Sequence, residues 1–430
     1  MSQARQGLLF SVAVAALGYF VDLYDIVIFG VVRVTSLTAL GISGADITRW
    51  GITLFNLQMT GMLVGGIAWG LIGDRLGRRA ALLATISLYS VANIANGCVV
   101  SVGQYAVLRF VAGVGLAGEL GAGVTLVAEL LPREHRGYGT TVISFLGLVG
   151  ALAASWIGSW FDWRTAYFAG GGVGLLVLAG RWWGLRESNL FTAHRGAHRG
   201  AHRGAHRGAH QGAHQGQTSQ WQDLRQLLGR GPSLRRLLAV VAVGVPIWYV
   251  SALFVGFAPE FGKALGVSAP LKVGEVLSWQ ATGLAIGSAC SGLAGECLRS
   301  RKRVIWICFA AMAALVLAIL LRGRTPAIYC RLMFAMGLAQ GYWTVFLTMS
   351  AEQFGTNVRA TVSTSVPNFV RAMTVPVTLL LQTLAPLLGV LRSTMAIGTV
   401  VLGLAVLALL SLQETFGRDL AYVEDLCDGR

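Results

Sequence analysis

The sequence predicts an all-α integral membrane protein: twelve transmembrane helices in two pseudo-symmetric six-helix bundles. Three observations predict it. Apolar residues make up 55% of the 430-residue chain and charged residues only 12%, too few to dress one soluble core in water. Apolar runs of about 20 residues, the length a bilayer span requires, recur with short polar breaks. Basic residues gather in every second break, as they do on the cytoplasmic side of polytopic proteins.

Taken in order, the first run covers 8–32; with one Arg ahead of it and Asp22 and Asp25 inside, it makes a poor signal peptide and reads as a span. Runs at 49–73, 80–100, 104–131, 138–160 and 165–185 complete a first set of six. Runs at 237–260, 273–296, 304–321, 326–350, 362–387 and 393–413 make a second. The 56 glycines suit helices that must approach closely in lipid. Arg75, Arg78 and Arg79, then Arg133 and Arg136, the stretch from Arg186 to Arg236, Arg299 to Arg303, and Arg359 fall in alternate connections. Both termini are therefore expected in the cytoplasm, in a bacterial inner membrane. The formal charge of +15 then reports topology and contact with anionic lipid rather than nucleic-acid binding. The six cysteines are scattered, with neither disulfide nor metal spacing.

The two sets look duplicated. Ala128-Glu129 and Arg136 map onto Ala351-Glu352 and Arg359 at a displacement of 223 residues, and Arg78-Arg79 maps onto Arg301-Lys302 at the same displacement. The division expected is a first bundle at 1–186, a cytoplasmic linker at 187–236, a second bundle at 237–413 and a tail at 414–430. The linker holds Ala-His-Arg-Gly four times and Ala-His-Gln-Gly twice over 193–216, with six of the seven histidines. Gly at every fourth position opposes helix, and Arg weakens metal affinity. A flexible linker is therefore favoured over a metal-binding tract, followed by a short amphipathic helix over 221–228.

The second run ends in Gly70-Leu-Ile-Gly73-Asp74-Arg75-Leu-Gly77-Arg78-Arg79. This resembles, at every position, the loop G-x-x-x-D-R-x-G-R-[RK] between the second and third helices of the major facilitator superfamily. Arg109 to Gly115 is similar to that family's fourth-helix motif R-x-x-x-G-x-G. Glu129 with Arg136 and Glu352 with Arg359 resemble its cytoplasmic charge clusters, and Glu187 and Glu414 its acidic span ends. The second copy of the loop has Cys297 in place of Asp74. The resemblance implies that Gly70, Gly73, Asp74, Arg75, Gly77, Arg78, Arg79, Glu129, Arg136, Glu352 and Arg359 form a conformational latch. Span five lacks the proline of drug antiporters. Asp22-Leu-Tyr-Asp25 and Gly118-Glu119-Leu-Gly121 are similar to segments of metabolite:proton symporters and their sialate and carboxylate relatives, with Leu120 where that branch usually has Trp.

An ionisable group in mid-bilayer costs about 3 kcal/mol on insertion scales and is by default functional or paired. Asp22 and Asp25, three apart, share one face of span one, and Glu119 lies mid-way along span four with Arg109 toward its outer end. Two acids crowding each other favour protonation of one. Asp22, Asp25 and Glu119 are therefore the candidate proton site and Arg109 its counter-charge; a static pair tying spans one and four is the alternative. In the second half Arg371 stands alone in mid-span and suits an anionic substrate. Trp248, Tyr249, Gln280, Gln340, Tyr342 and Trp343 are candidates to line its cavity.

The expectation is a monomeric secondary transporter working by alternating access, carrying a small organic anion with protons. A cation or metal transporter using the three acids as oxygen ligands, or a drug or siderophore exporter, shares the same pattern. No nucleophile with a nearby base, phosphate loop, metal site or cofactor motif is present in the sequence, which argues against an enzyme.

Overall fold

In the computed structural model, which describes residues 3–76, 78–130, 136–184 and 231–417, each of the twelve apolar runs is helical. With no water in a bilayer core, a lone segment satisfies its N–H and C=O groups only within itself, and helix is the form that does so. The first bundle comprises α1 (Gln3–Ala39), α2 (Ala45–Leu76), α3 (Arg78–Gly97), α4 (Val102–Leu130), α5 (Arg136–Trp160) and α6 (Trp163–Gly184). The second opens with α7 (Gly231–Val250), which begins at Gly231 rather than at 237 and continues as a wider π-helical turn over Ser251–Gly256. After it come α8 (Ala258–Leu265), α9 (Val273–Cys297), α10 (Arg301–Arg322), α11 (Pro326–Gln340), α12 (Trp343–Glu352), α13 (Thr356–Ala372), α14 (Thr374–Leu388) and α15 (Val390–Ser411). Among the described residues, seven helices are long and apolar enough to cross a membrane by length and composition alone.

Two expected spans are interrupted, each for a local reason. The run at 326–350 divides into α11 and α12 at Gly341, whose backbone lies against Gly287 of α9 so closely that a Cβ would not fit. The run at 362–387 divides into α13 and α14 at Met373. Pro376 has no N–H to return to the Ala372 carbonyl, so the ladder is broken there.

Each bundle has its own core. In the first, Tyr24, Phe29, Tyr105, Trp163 and Tyr167 pack together; in the second, Phe254, Phe261, Tyr329, Tyr342 and Phe346 do so. Large apolar side chains such as Trp160, Leu176, Trp183, Leu293 and Leu387 face outward, as expected where the surrounding solvent is lipid. The bundles meet where α5 packs on α9, where α2 packs on α13 and α14, and where α4 packs on α13. The linker array at 193–216, the 221–228 helix and the distal tail lie outside the described residues. So do Gly77 and the side chains of Asp74, Arg75, Arg78, Glu129, Arg136 and Arg359; Gly70 and Gly73 fall within α2.

Candidate functional site

Between the bundles lies a cavity of about 180 Å³. Tyr19, Phe29 and Arg33 of α1, Phe55 of α2 and Ala151 of α5 form one wall. Trp248, the π-turn residues Ser251 and Val255, Phe257, Gln280 and Ser288 of α9, and Trp343 and Thr344 of α12 form the other. The lining is rings and aliphatic carbon with a few amides and hydroxyls. That pattern suits a small molecule with an apolar body, oriented by few polar groups.

Beside the cavity, α1 carries a ladder of ion pairs. Asp22 meets Arg371 of α13 at 2.9 Å, linking the two bundles, and both side chains are sealed from solvent. Arg371 also lies over the Trp248 ring, 5.5 Å from its centroid, so Trp248 stands between this pair and the cavity. One turn further along, Asp25 accepts from Gln58 at 2.5 Å and pairs with Arg109 at 3.4 Å. Arg109 in turn donates to Gln58 and stacks over Phe29. Glu119 is held bidentately by Arg181 of α6, at 2.6 and 2.9 Å, and accepts from Thr85 at 2.6 Å. Gly18 of α1 covers this last pair, since a Cβ there would strike both Glu119 and Arg181.

Several expectations change. Each acid has its own arginine, and Asp22 and Asp25 turn to different bundles. Glu119 lies inside the first bundle, away from the cavity. Arg371 is partnered by Asp22 and does not line the cavity. Of the candidate lining residues, Gln280, Trp248 and Trp343 reach the cavity, while Tyr249, Gln340 and Tyr342 are buried in the second bundle. Tyr249 donates to the Thr394 carbonyl at 2.7 Å, Tyr342 to that of Val243 at 2.9 Å, and Gln340 to that of Ile247 at 2.9 Å while accepting from Gln280 at 2.6 Å. An arginine beside each of Asp22, Asp25 and Glu119 also disfavours the cation reading, because it occupies the carboxylate and repels a second positive charge.

Sequence reasoning missed Arg33, Gln58, Arg181 and Glu260. Gln58 was visible as an amide inside an apolar run. Arg33 and Arg181 stand near the limits expected for their spans, where a long basic side chain is ordinarily taken to reach water.

Where latch residues are described, they form contacts within each bundle. Arg79 donates to the Trp182 carbonyl at 2.9 Å. Glu352 accepts from Thr415 at 2.7 Å and lies 3.8 Å from Arg301. Glu414 caps α10, accepting from Ser300 and from the backbone amides of Arg301 and Lys302. Burial pushes its carboxyl up, but the Ser300 hydroxyl and the amides of Arg301, Phe416 and Lys302 outweigh it and hold it below the usual carboxylate range.

Two helical bundles around a shared central cavity, with paired charges along the helix between them, define a multi-pass membrane protein of transporter type. The chain belongs to the Major Facilitator Superfamily, whose sequence profile matches residues 15–374. It is 29% identical over 181 residues to a gallate transporter of Pseudomonas putida, covering 41% of this chain and 39% of that protein. It is 30% identical over 162 residues to a niacin transporter of Acinetobacter baylyi, covering 37% and 36%. The chain thus spans about two-fifths of the length of these curated relatives. A longer match, 26% over 334 residues, joins 71% of this chain to 70% of a putative metabolite transport protein of Bacillus subtilis. Among solved structures, a D-xylose-proton symporter superposes with a TM-score of 0.69 at 18% identity, covering 96% of this chain and 100% of that one. That likeness establishes the fold.

Proposed function

We propose that this protein is a secondary transporter that carries a small aromatic carboxylate together with protons by alternating access. The observation that carries the reading is the cavity between the bundles, walled by Tyr19, Phe29, Phe55, Trp248, Phe257 and Trp343 and adjoining a helix on which every acid is ion-paired. The named relatives support the substrate class, since the two above are named for gallate and niacin and others at 25–27% identity for gentisate and benzoate.

Coupling follows from the cross-bundle pair. While Asp22 is charged it holds Arg371 and ties α1 to α13; protonation removes the attraction and frees α13 to move with the second bundle. Asp25, paired with Arg109, keeps α1 against α4, and Glu119, paired with Arg181, ties α4 to α6, all within the first bundle. With the basic connections inside and both termini cytoplasmic, the contacts joining the α1–α2 end of the first bundle to the second lie on the outer face. They include Arg33 to Glu260, Thr48 to Glu260, Gln382 to the Arg49 carbonyl, and Ser155 to Gly274 and Ser278. The arrangement is then closed toward the outside. The monomer holds the complete pathway in a bacterial inner membrane.

The test is uptake of radiolabelled benzoate, gentisate, gallate and nicotinate into proteoliposomes under an imposed gradient, acid outside. At least one solute should accumulate above protein-free vesicles, and collapse of the gradient should abolish accumulation. Rates equal to those of empty vesicles for all four would reject the proposal.

A further inference from the structure

Among the described residues lining the cavity, Arg33 is the one cation. It is 1% exposed, and its guanidinium is only partly engaged. Nη2 bonds Glu260 of α8, 2.7 Å from one oxygen and 2.8 Å from the other, and the plane stacks on Phe257, 4.5 Å from the ring centroid. Nε and Nη1 are buried without a partner. A buried donor lacking an acceptor costs about 1–3 kcal/mol, so an acceptor brought into the cavity against Arg33 would be favoured. Glu260 is shared: it also accepts from Thr48 at 3.1 Å, and its side chain is 20% exposed, so it can turn toward water while Arg33 stays sealed.

The other buried arginines are placed differently. Arg109, Arg181 and Arg371 are each neutralised by a sealed carboxylate and none lines the cavity. We infer that Arg33 is the carboxylate anchor of the cavity, and that Glu260 is an internal competitor which the substrate's carboxylate displaces. The ring of the substrate then lies against Phe29, Phe55 and Trp248. Because Arg33 and Thr48 belong to the first bundle and Glu260 to the second, occupation of Arg33 weakens a tie between bundles. The inference rests on the aromatic-carboxylate reading above and names the group that would read the charge.

The experiment compares an acid with its neutral isostere, benzoate against benzamide and nicotinate against nicotinamide, binding to the full-length protein in nanodiscs. Quenching of tryptophan emission reports occupancy, since Trp248 and Trp343 line the cavity. Wild type should prefer the acid by about tenfold or more, as a charge-assisted bond allows. Arg33→Gln should bring acid and amide to within about twofold by weakening the acid alone, with Arg33→Lys retaining part of the preference. Glu260→Gln should tighten the acid several-fold and leave the amide unchanged, as removal of a competitor requires. A purely structural latch predicts instead that Arg33→Gln and Glu260→Gln shift acid and amide alike and in the same direction, which would overturn the inference. Retention of the acid preference in Arg33→Gln would also overturn it while leaving the substrate class intact. Wild-type protein that binds neither acid would reject both. If Arg33→Gln does not fold, the opposite signs expected for Arg33→Lys and Glu260→Gln still decide.

Discussion

Replacing Asp22 by Asn should shift the arrangement of the two bundles, and the size of the shift follows from the geometry. At 2.9 Å, two unit charges in an effective dielectric of about 20 attract by about 6 kcal/mol. Part of this offsets the cost of taking both groups out of water, but Asp22→Asn removes only one partner. Arg371 is left charged and sealed, with Nε and Nη1 already unpartnered; losing one member of a buried pair typically costs about 3–5 kcal/mol. Because the partners belong to different bundles, that energy favours arrangements in which Arg371 moves away from the neutral amide, by roughly a hundredfold to five-thousandfold. Spin labels at Ser43 and Ser268, exposed on the two bundles at the α1–α2 end, would report the change as a new distance population in a cysteine-free background. Asp22→Asn and Arg371→Gln should each produce it, and the double variant should recover much of the wild-type distribution. Effects of the two single variants that simply add, to within about 0.5 kcal/mol, would refute the reasoning.

Other substitutions separate packing from function. Gly18→Ala should lower stability by about 1–3 kcal/mol, because its methyl would press on the sealed Glu119 and Arg181 pair; thermal unfolding in detergent checks this. Tyr249→Phe and Tyr342→Phe should each cost about 1 kcal/mol through a lost hydrogen bond to a carbonyl, with KM for transport unchanged. Gln280→Ala, on the cavity wall, should raise KM. Glu414 has a depressed carboxyl pKa, so its stabilising contribution is complete above the ordinary value near about 4.3 and is lost as pH falls through the lower folded value. The stability difference between wild type and Glu414→Gln should therefore shrink on acidification across that window, and a difference independent of pH would contradict the capping role.

Much of the architecture was legible in the sequence because it depends on local composition. Span positions follow from apolar runs, and the expectation of a duplication rests on charges repeated at a fixed displacement. Asp22, Asp25, Arg109, Glu119 and Arg371 were visible as buried for the same reason: each is an ionisable residue in an apolar run. Their pairing was not visible. Asp22 and Asp25 lie only about 60° apart around α1, yet α1 runs along the boundary between bundles, so that small rotation sends one to Arg371 and the other to Arg109. The same angular sensitivity decided the aromatic lining. Trp248 and Trp343 reach the cavity while Tyr249 and Tyr342, one position away and turned by about 100°, bond to backbone inside the second bundle. Arg33 was hidden because apolarity ends at residue 32 whereas the helix continues to Ala39. No local pattern announces that Glu260, distant in sequence, waits there to receive it.

The proposed coupling of aromatic carboxylate movement to proton movement through Asp22 is tested most directly by one measurement: lumenal pH, reported by a trapped dye, in proteoliposomes challenged with whichever aromatic carboxylate is transported, corrected for protein-free vesicles. Wild-type vesicles should acidify internally as solute enters, and Asp22→Asn vesicles should exchange labelled for unlabelled solute without that acidification. Solute accumulation by the wild type with no change in lumenal pH, or unaltered proton entry in Asp22→Asn, would contradict the account.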